Sequence, residues 1–130
     1  MCRYIRYCVN DNKISGDNVF DVSRASILGN PFTHIKTKKT KAIYVVGSRD
    51  EAIDLYGGYF DMMYKKNTAF KNAVDKIYDA SKNNDVVYIG CYCRDNERCH
   101  GDIIIDKLTS MAIRDAIIEE NKKINERQDG

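Results

Sequence analysis

Neither sign of charge dominates this sequence: 21 Lys and Arg side chains stand against 19 Asp and Glu. No global field therefore demands a nucleic acid or a membrane as partner. No apolar run approaches the roughly 20 residues of a membrane span. The N-terminus, Met1-Cys2-Arg3-Tyr4-Ile5-Arg6, also lacks the apolar centre of a secretory signal. A soluble protein of the cytoplasm is expected. Internal repeats and low-complexity blocks are absent, which excludes solenoids and linker-like chains. Proline is almost missing; the single one is Pro31. Five cysteines is an odd number, and cytoplasmic thiols stay reduced, so no disulfide framework is expected. The length of 130 residues suits one domain that buries roughly two-thirds of its unfolded surface.

The chain is organised around Val86 to Asp106. Val86-Val87-Tyr88-Ile89 is a short β-branched and aromatic run between Asn83-Asn84-Asp85 and Gly90, which suits a strand covered on both faces. Cys91, Cys93, Cys99 and His100 follow, and Gly101-Asp102 opens a helical pattern. A strand, a polar loop and a helix N-terminus form the place where open α/β sheets put ligands.

Before this stretch, Arg3 to Val9 and Asn18 to Val22 are two β-like runs with strong turn chemistry between them. They predict an N-terminal hairpin or strand pair, with Cys8 as a small core residue. At Gly29-Asn30-Pro31 the glycine can take a positive φ and the proline fixes its own, so a rigid turn is expected, which either frames a pocket or is structural with Phe32 plugging the core. Thr33 to Lys41 is a basic loop holding His34, Lys36, Lys38, Lys39 and Lys41; solvated surface competes there with a nucleic-acid contact. Ala42 to Val46 reads as a brief strand or an apolar lead.

Ser48-Arg49-Asp50-Glu51 is a capping box, in which Ser48 accepts from the Glu51 N–H and Glu51 reaches back to the Ser48 N–H. The helix runs from Arg49 to about Tyr64, with Ala52, Tyr56, Tyr59, Phe60 and Met63 on one face and Gly57-Gly58 marking a kink or close packing. Asn67 or Thr68 caps a second helix to about Ser81, with Phe70, Val74, Ile77 and Tyr78 buried. After the cysteine loop Ile104, Ile105, Leu108, Met111, Ala112, Ala116 and Ile117 form a third helical stripe, continuing weakly to Ile124. The expectation is a small single-domain layered fold, α/β or α+β, in which a short sheet carries three main helices and a Rossmann-like strand-loop-helix site. Residues 1–118 form the domain, and residues 119–130 a charged helical extension or a disordered tail.

The cysteine loop supports three readings. Cys91 and Cys93 point the same way in an extended chain, and a loop could bring Cys99 and His100 round to complete a zinc site, although Cys-x-Cys is tighter than usual ligand spacing. Alternatively, the helix N-terminus makes an anion or nucleotide pocket, with Cys99 as an activated thiol and His100 as a proton shuttle. Asp102 is then a base, a ribose-hydroxyl acceptor or simply a cap. Gly101 would let the ligand approach the backbone. The third reading is structural, with small core cysteines and His100 bonded to a carbonyl.

Ser26-x-Leu28-Gly29-Asn30-Pro31-Phe32, Ser48-Arg49-Asp50-Glu51-Ala52-Ile53 with Tyr56, Gly90-Cys91-x-Cys93 and Cys99-His100-Gly101-Asp102-x-Ile104 together resemble a small uncharacterised domain family of bacteriophages and bacteria. The match spans about Asp21 to Leu108. A more distant similarity runs to another family of unknown function with Cys-His-Arg at the equivalent strand-to-helix junction of a nucleotide-binding layout. The resemblance implies that Asn30, Arg49, Cys93, Gly101, Cys99, His100 and Asp102 share one polar surface. Arg49 would meet an anionic ligand group, and Asn30 a hydroxyl or base edge. Cys99, His100 and Asp102 would carry any chemistry. The leading expectation is a phage-type accessory protein of the host cytoplasm that binds, with or without processing it, a nucleotide or nucleoside derivative, for nucleotide modification or capture of a host immune signal. The second is a non-enzymatic module in which zinc on Cys91, Cys93, Cys99 and His100 stabilises a surface for a host protein. The third is a nucleic-acid binder acting through Lys36 to Lys41.

Overall fold

The computed structural model describes residues 2–9, 14–23, 26–33, 44–93 and 98–128, with side chains through residue 124. In chain order the elements are β1 (Arg3–Cys8), β2 (Val19–Asp21), β3 (Phe32–Thr33), β4 (Tyr44–Val45), α1 (Arg49–Lys66), α2 (Thr68–Asn83), β5 (Val86–Cys91) and α3 (His100–Gln128). The fold is a mixed α/β single domain, with three helices and a small parallel sheet among the described residues.

The most apolar run takes the middle of that sheet. β5 lies between β1 and β2, parallel to both, with Cys8 opposite Cys91 and Asp21 opposite Gly90. Val87 and Ile89 are fully buried, as a strand covered on both faces requires. The expected N-terminal hairpin does not form. β1 and β2 run in the same direction on opposite sides of β5, because turn residues report that the chain bends and not which strand it will pair with. β3 and β4 form a separate two-stranded parallel sheet. The 34–41 loop with its lysines lies outside the described residues.

Ser48 caps α1 by accepting from the Glu51 N–H at 3.1 Å, whereas the Glu51 carboxylate reaches one residue further back than expected, to the Gly47 N–H. Asn67 ends α1, its N–H on the Met63 carbonyl, and starts α2, its side chain accepting from the Phe70 N–H. One residue thereby turns the corner between two helices. Phe70, Val74 and Ile77 from α2 meet Tyr56 and Phe60 from α1, Ile104 and Leu108 from α3, and β5. Each such large apolar side chain contributes about 1.5–3 kcal/mol on burial.

Three local expectations are corrected. Among the described residues only Gly16 has a positive φ, 144°, so Gly29 makes its turn without that freedom. Leu28, not Phe32, is the large apolar side chain that this segment buries; Phe32 is half-buried, stacked on Tyr44 and edge-on to Tyr59. The third helical stripe ends at Ala112, since Ala116, Ile117 and Ile124 are exposed. Helix α3, 29 residues long, extends about 43 Å at 1.5 Å per residue, which outruns the 18-residue α1 beside it. Among the described residues no helix is long and apolar enough to cross a membrane.

The glycines make a stability test. A Cβ on Gly58 would meet nothing within 4 Å, and on Gly57 only ordinary contact with Ile103, so close packing does not demand either. A Cβ on Gly90 would come within 2.7 Å of the buried Tyr7 ring. Gly58→Ala is expected to stabilise by about 0.5–1 kcal/mol and Gly90→Ala to destabilise by about 1–3 kcal/mol; urea unfolding midpoints check both. Equal effects of one sign would refute the packing around Gly90.

Candidate ligand-binding site

The parallel sheet brings the carboxyl ends of β1, β5 and β2 to one edge, and the chain crosses that edge into α3. The start of α3 is a capping box built on cysteine. The Cys99 sulfur accepts from the Gly101 N–H at 3.4 Å, and the Asp102 carboxylate accepts from the Cys99 N–H at 3.2 Å. Asp102 also pairs with Arg6 of β1, Nε to Oδ1 at 3.1 Å. Burial alone would lower the Arg6 pKa, but Asp102 and the nearby thiols outweigh it and raise it. Gly101 packs on the Arg6 stem, its missing Cβ 3.4 Å from Cδ.

His100 is buried and bridges two elements. Nε2 meets the Val22 carbonyl beyond β2, and because a carbonyl only accepts, that nitrogen carries the proton. Nδ1 then faces the Cys99 sulfur at 3.6 Å. The ring stands edge-on to Tyr56, whose hydroxyl is committed to the Leu28 carbonyl.

The Cys91, Cys93 and Cys99 sulfurs all lie within 4.8 Å of one another, a group that could hold a metal ion. Their protons are unequally shared. Hydrogen bonds from the Cys91 and Cys99 thiols, then the Arg49 guanidinium, push the Cys93 pKa far below the ordinary thiol value. The same bonds, with burial, raise those of Cys91 and Cys99. Of the three sulfurs it is Cys93 that faces a cation, with Arg49 Nη2 3.0 Å away, which favours its thiolate form. Arg49, the first residue of α1, also donates to the Arg98 carbonyl, while the Arg98 side chain clasps Asp50 and Asp54. The loop end is thus tied to α1 from both backbone and side chain.

These groups wall a cavity of about 160 Å³, lined by Ser23, Asn30, Thr33, Arg49, Ala52, Ile53, Cys91, Tyr92, Cys93, Cys99 and His100. A family model, the domain of unknown function DUF4326, matches residues 6–110. The chain belongs to this family. The DUF4326 match takes in Arg6, every cavity residue and the capped start of α3, and stops just where α3 leaves the core. No curated protein and no solved structure matches the chain.

Of the residues singled out beforehand, Asn30, Arg49, Cys91, Cys93, Cys99 and His100 line this DUF4326 cavity, and Gly101 and Asp102 stand behind it. The Asn30 amide is engaged structurally, donating to the Ala52 carbonyl and accepting from the Phe32 N–H. Cys8 is buried, its thiol pointing to the Tyr92 carbonyl at 3.8 Å. Arg6, Arg98, Tyr92 and Ser23 were missed. Arg6 did leave a signal, as a charged residue inside a β-like run. Ser23 left none: its hydroxyl is buried and has no hydrogen-bond partner among the described residues, at a cost of about 1–3 kcal/mol.

The unequal thiols are directly measurable. Alkylation at pH 7 followed by peptide mass mapping should find Cys93 modified well before the buried Cys91 and Cys99, at a rate nearly flat with pH where an ordinary thiol gains about tenfold per unit below its pKa. Arg49→Gln should restore part of that pH dependence. Equal labelling of the three would refute the assignment of the thiolate.

Proposed function

We propose that the protein binds a nucleotide or nucleoside derivative in the cavity before α3. One observation carries the reading: the cavity opens at the carboxyl ends of parallel strands, between the N-termini of α1 and α3, where α/β sheets bind such ligands. Its size refines the class. About 160 Å³ is below the roughly 300–1,000 Å³ of a site that swallows a whole drug-sized ligand and is close to the roughly 150 Å³ that holds one benzene ring. One ring system enters, and a phosphate tail remains outside, where the positive helix ends favour it. The Cys93 sulfur beside Arg49, with His100 as the proton carrier, supports covalent processing of the bound molecule. Nucleotide modification or capture of a host immune signal is the role such a site would serve in a cytoplasmic accessory protein of phage type.

A second reading is favoured by the sulfur cluster. Zinc–sulfur bonds of about 2.3 Å and zinc–nitrogen bonds of about 2.0 Å set S···S and N···S edges of roughly 3.5–3.8 Å in a tetrahedron. The 3.6 Å between Cys99 Sγ and His100 Nδ1 fits such an edge, and His100 Nε2 has the carbonyl partner that metal-bound histidines usually keep. Cys91, Cys93 and Cys99 would hold the ion; the His100 nitrogens lie outside that group, so His100 would have to shift to become the fourth ligand. The guanidinium of Arg49 on Cys93 works against it, since that sulfur already has a cationic partner.

Thermal shift with ribonucleosides and their 5′-monophosphates separates the two. A ligand at about 100 times its Kd stabilises by about 2.7 kcal/mol, and His100→Ala should abolish the rise in Tm while the variant still folds. Under the zinc reading native mass spectrometry finds one metal per chain, and a chelator or Cys99→Ser unfolds the domain. If no nucleoside or nucleotide moves Tm, the nucleotide reading falls.

A further inference from the structure

We infer that the ligand's ring stacks on Tyr92 at the cavity mouth, while the Ser23 hydroxyl inside meets a polar atom on the ring's edge. This rests on the nucleotide reading above and names the part of the ligand that enters. Tyr92 lines the cavity and yet is 57% exposed, standing between two cysteines that belong to the inner cluster. A single exposed aromatic is ordinary on a protein surface. This one, however, sits on the lip of a ring-sized cavity with its backbone held, since its carbonyl receives the Cys8 thiol and the Cys91 carbonyl before it receives the Val9 N–H.

Ser23 supplies the independent observation. Its backbone is fully engaged: the N–H donates to Asp21 Oδ1 at 2.8 Å, and the carbonyl accepts from the Ser26 N–H and hydroxyl. Among the described residues only the hydroxyl has no partner, in a residue 3% exposed that lines the cavity. Buried polar groups in folded proteins are matched by protein, water or ligand. A hydroxyl both donates and accepts, so it can meet a ring nitrogen, a ring carbonyl or an exocyclic amine. A flat heterocycle with polar atoms on its edge and an aromatic face fits both features, whereas a sugar phosphate uses neither the stacking surface nor the ring-sized space.

Isothermal titration calorimetry with the common ribonucleosides, their 5′-monophosphates, ribose 5-phosphate and inorganic phosphate tests this. At least one nucleoside should bind the wild-type protein, and ribose 5-phosphate should not. Tyr92→Ala should weaken that nucleoside on the order of tenfold or more, and Tyr92→Phe should restore it. Ser23→Ala should weaken it about tenfold while leaving Tm unchanged or higher, because an unmatched buried hydroxyl has been removed. A merely structural serine would lower Tm instead. Wild-type affinity in Tyr92→Ala and Ser23→Ala, or ribose 5-phosphate binding as tightly as a 5′-monophosphate, overturns the ring placement and leaves the nucleotide reading standing. Binding by none of these probes overturns both.

Discussion

The parallel pairing of β1 and β2 onto β5 is the constraint on which the rest of this structure depends. Parallel register sends the carboxyl ends of all three strands to one edge. The peptide groups just past that edge lock onto one another, with the Val9 N–H on the Cys91 carbonyl and the Val22 N–H on the Gly90 carbonyl. His100 extends the same lattice, since its ring takes the carbonyl that Val22 leaves free of β5. The start of α3 is therefore positioned by backbone hydrogen bonds that only this strand order can supply. α2 and α3 then pack on β5, and α1 packs against both helices and β3, which puts Arg49 beside the same edge.

At that edge, cation and anion alternate in a short chain. Asp102 faces Arg6, Arg6 reaches the Cys91 sulfur at 3.7 Å, and Cys93 faces Arg49. Cysteine in place of serine at the helix cap makes the cap itself part of the thiol cluster, so the same sulfur that orients α3 also hydrogen-bonds the thiolate. Local structure and chemistry thereby use the same atoms. Ser23 shows the opposite arrangement: a buried hydroxyl without a hydrogen-bond partner among the described residues. Such a group lowers stability in the free protein and raises affinity when something meets it, the usual exchange between folding and binding.

Some of this was legible beforehand. β5, the Ser48 cap, the Asn67 corner and the Phe70, Val74, Ile77 and Tyr78 stripe are all local patterns, and each appears where its residues predict it. Arg49 was assigned beside the cysteines through a family resemblance, and it does contact Cys93. Other features were misread for physical reasons. The hairpin failed because a turn does not encode a pairing partner. Ile117 reads as core by its period, yet the core ends before it, and periodicity carries no information about where a neighbouring helix stops. Phe32 lost its place in the core to Leu28, four residues earlier in the same turn-bearing segment. Ser23 and Arg6 belong to the site only through contacts made across the sheet, with nothing in their own neighbours to announce them.

By itself the sequence determined where helices start, which strand is buried on both faces, and that cysteines, a histidine and a glycine crowd one strand-to-helix junction. Those are consequences of neighbours along the chain, because capping, periodicity and turn chemistry act over a few residues. The tertiary structure alone decided which cysteine sulfur faces an arginine, which arginine that is, and that Tyr92 and Ser23 share a cavity with them. Such facts depend on groups dozens of residues apart being brought within about 4 Å, the range over which a hydrogen bond or a buried charge pair has force.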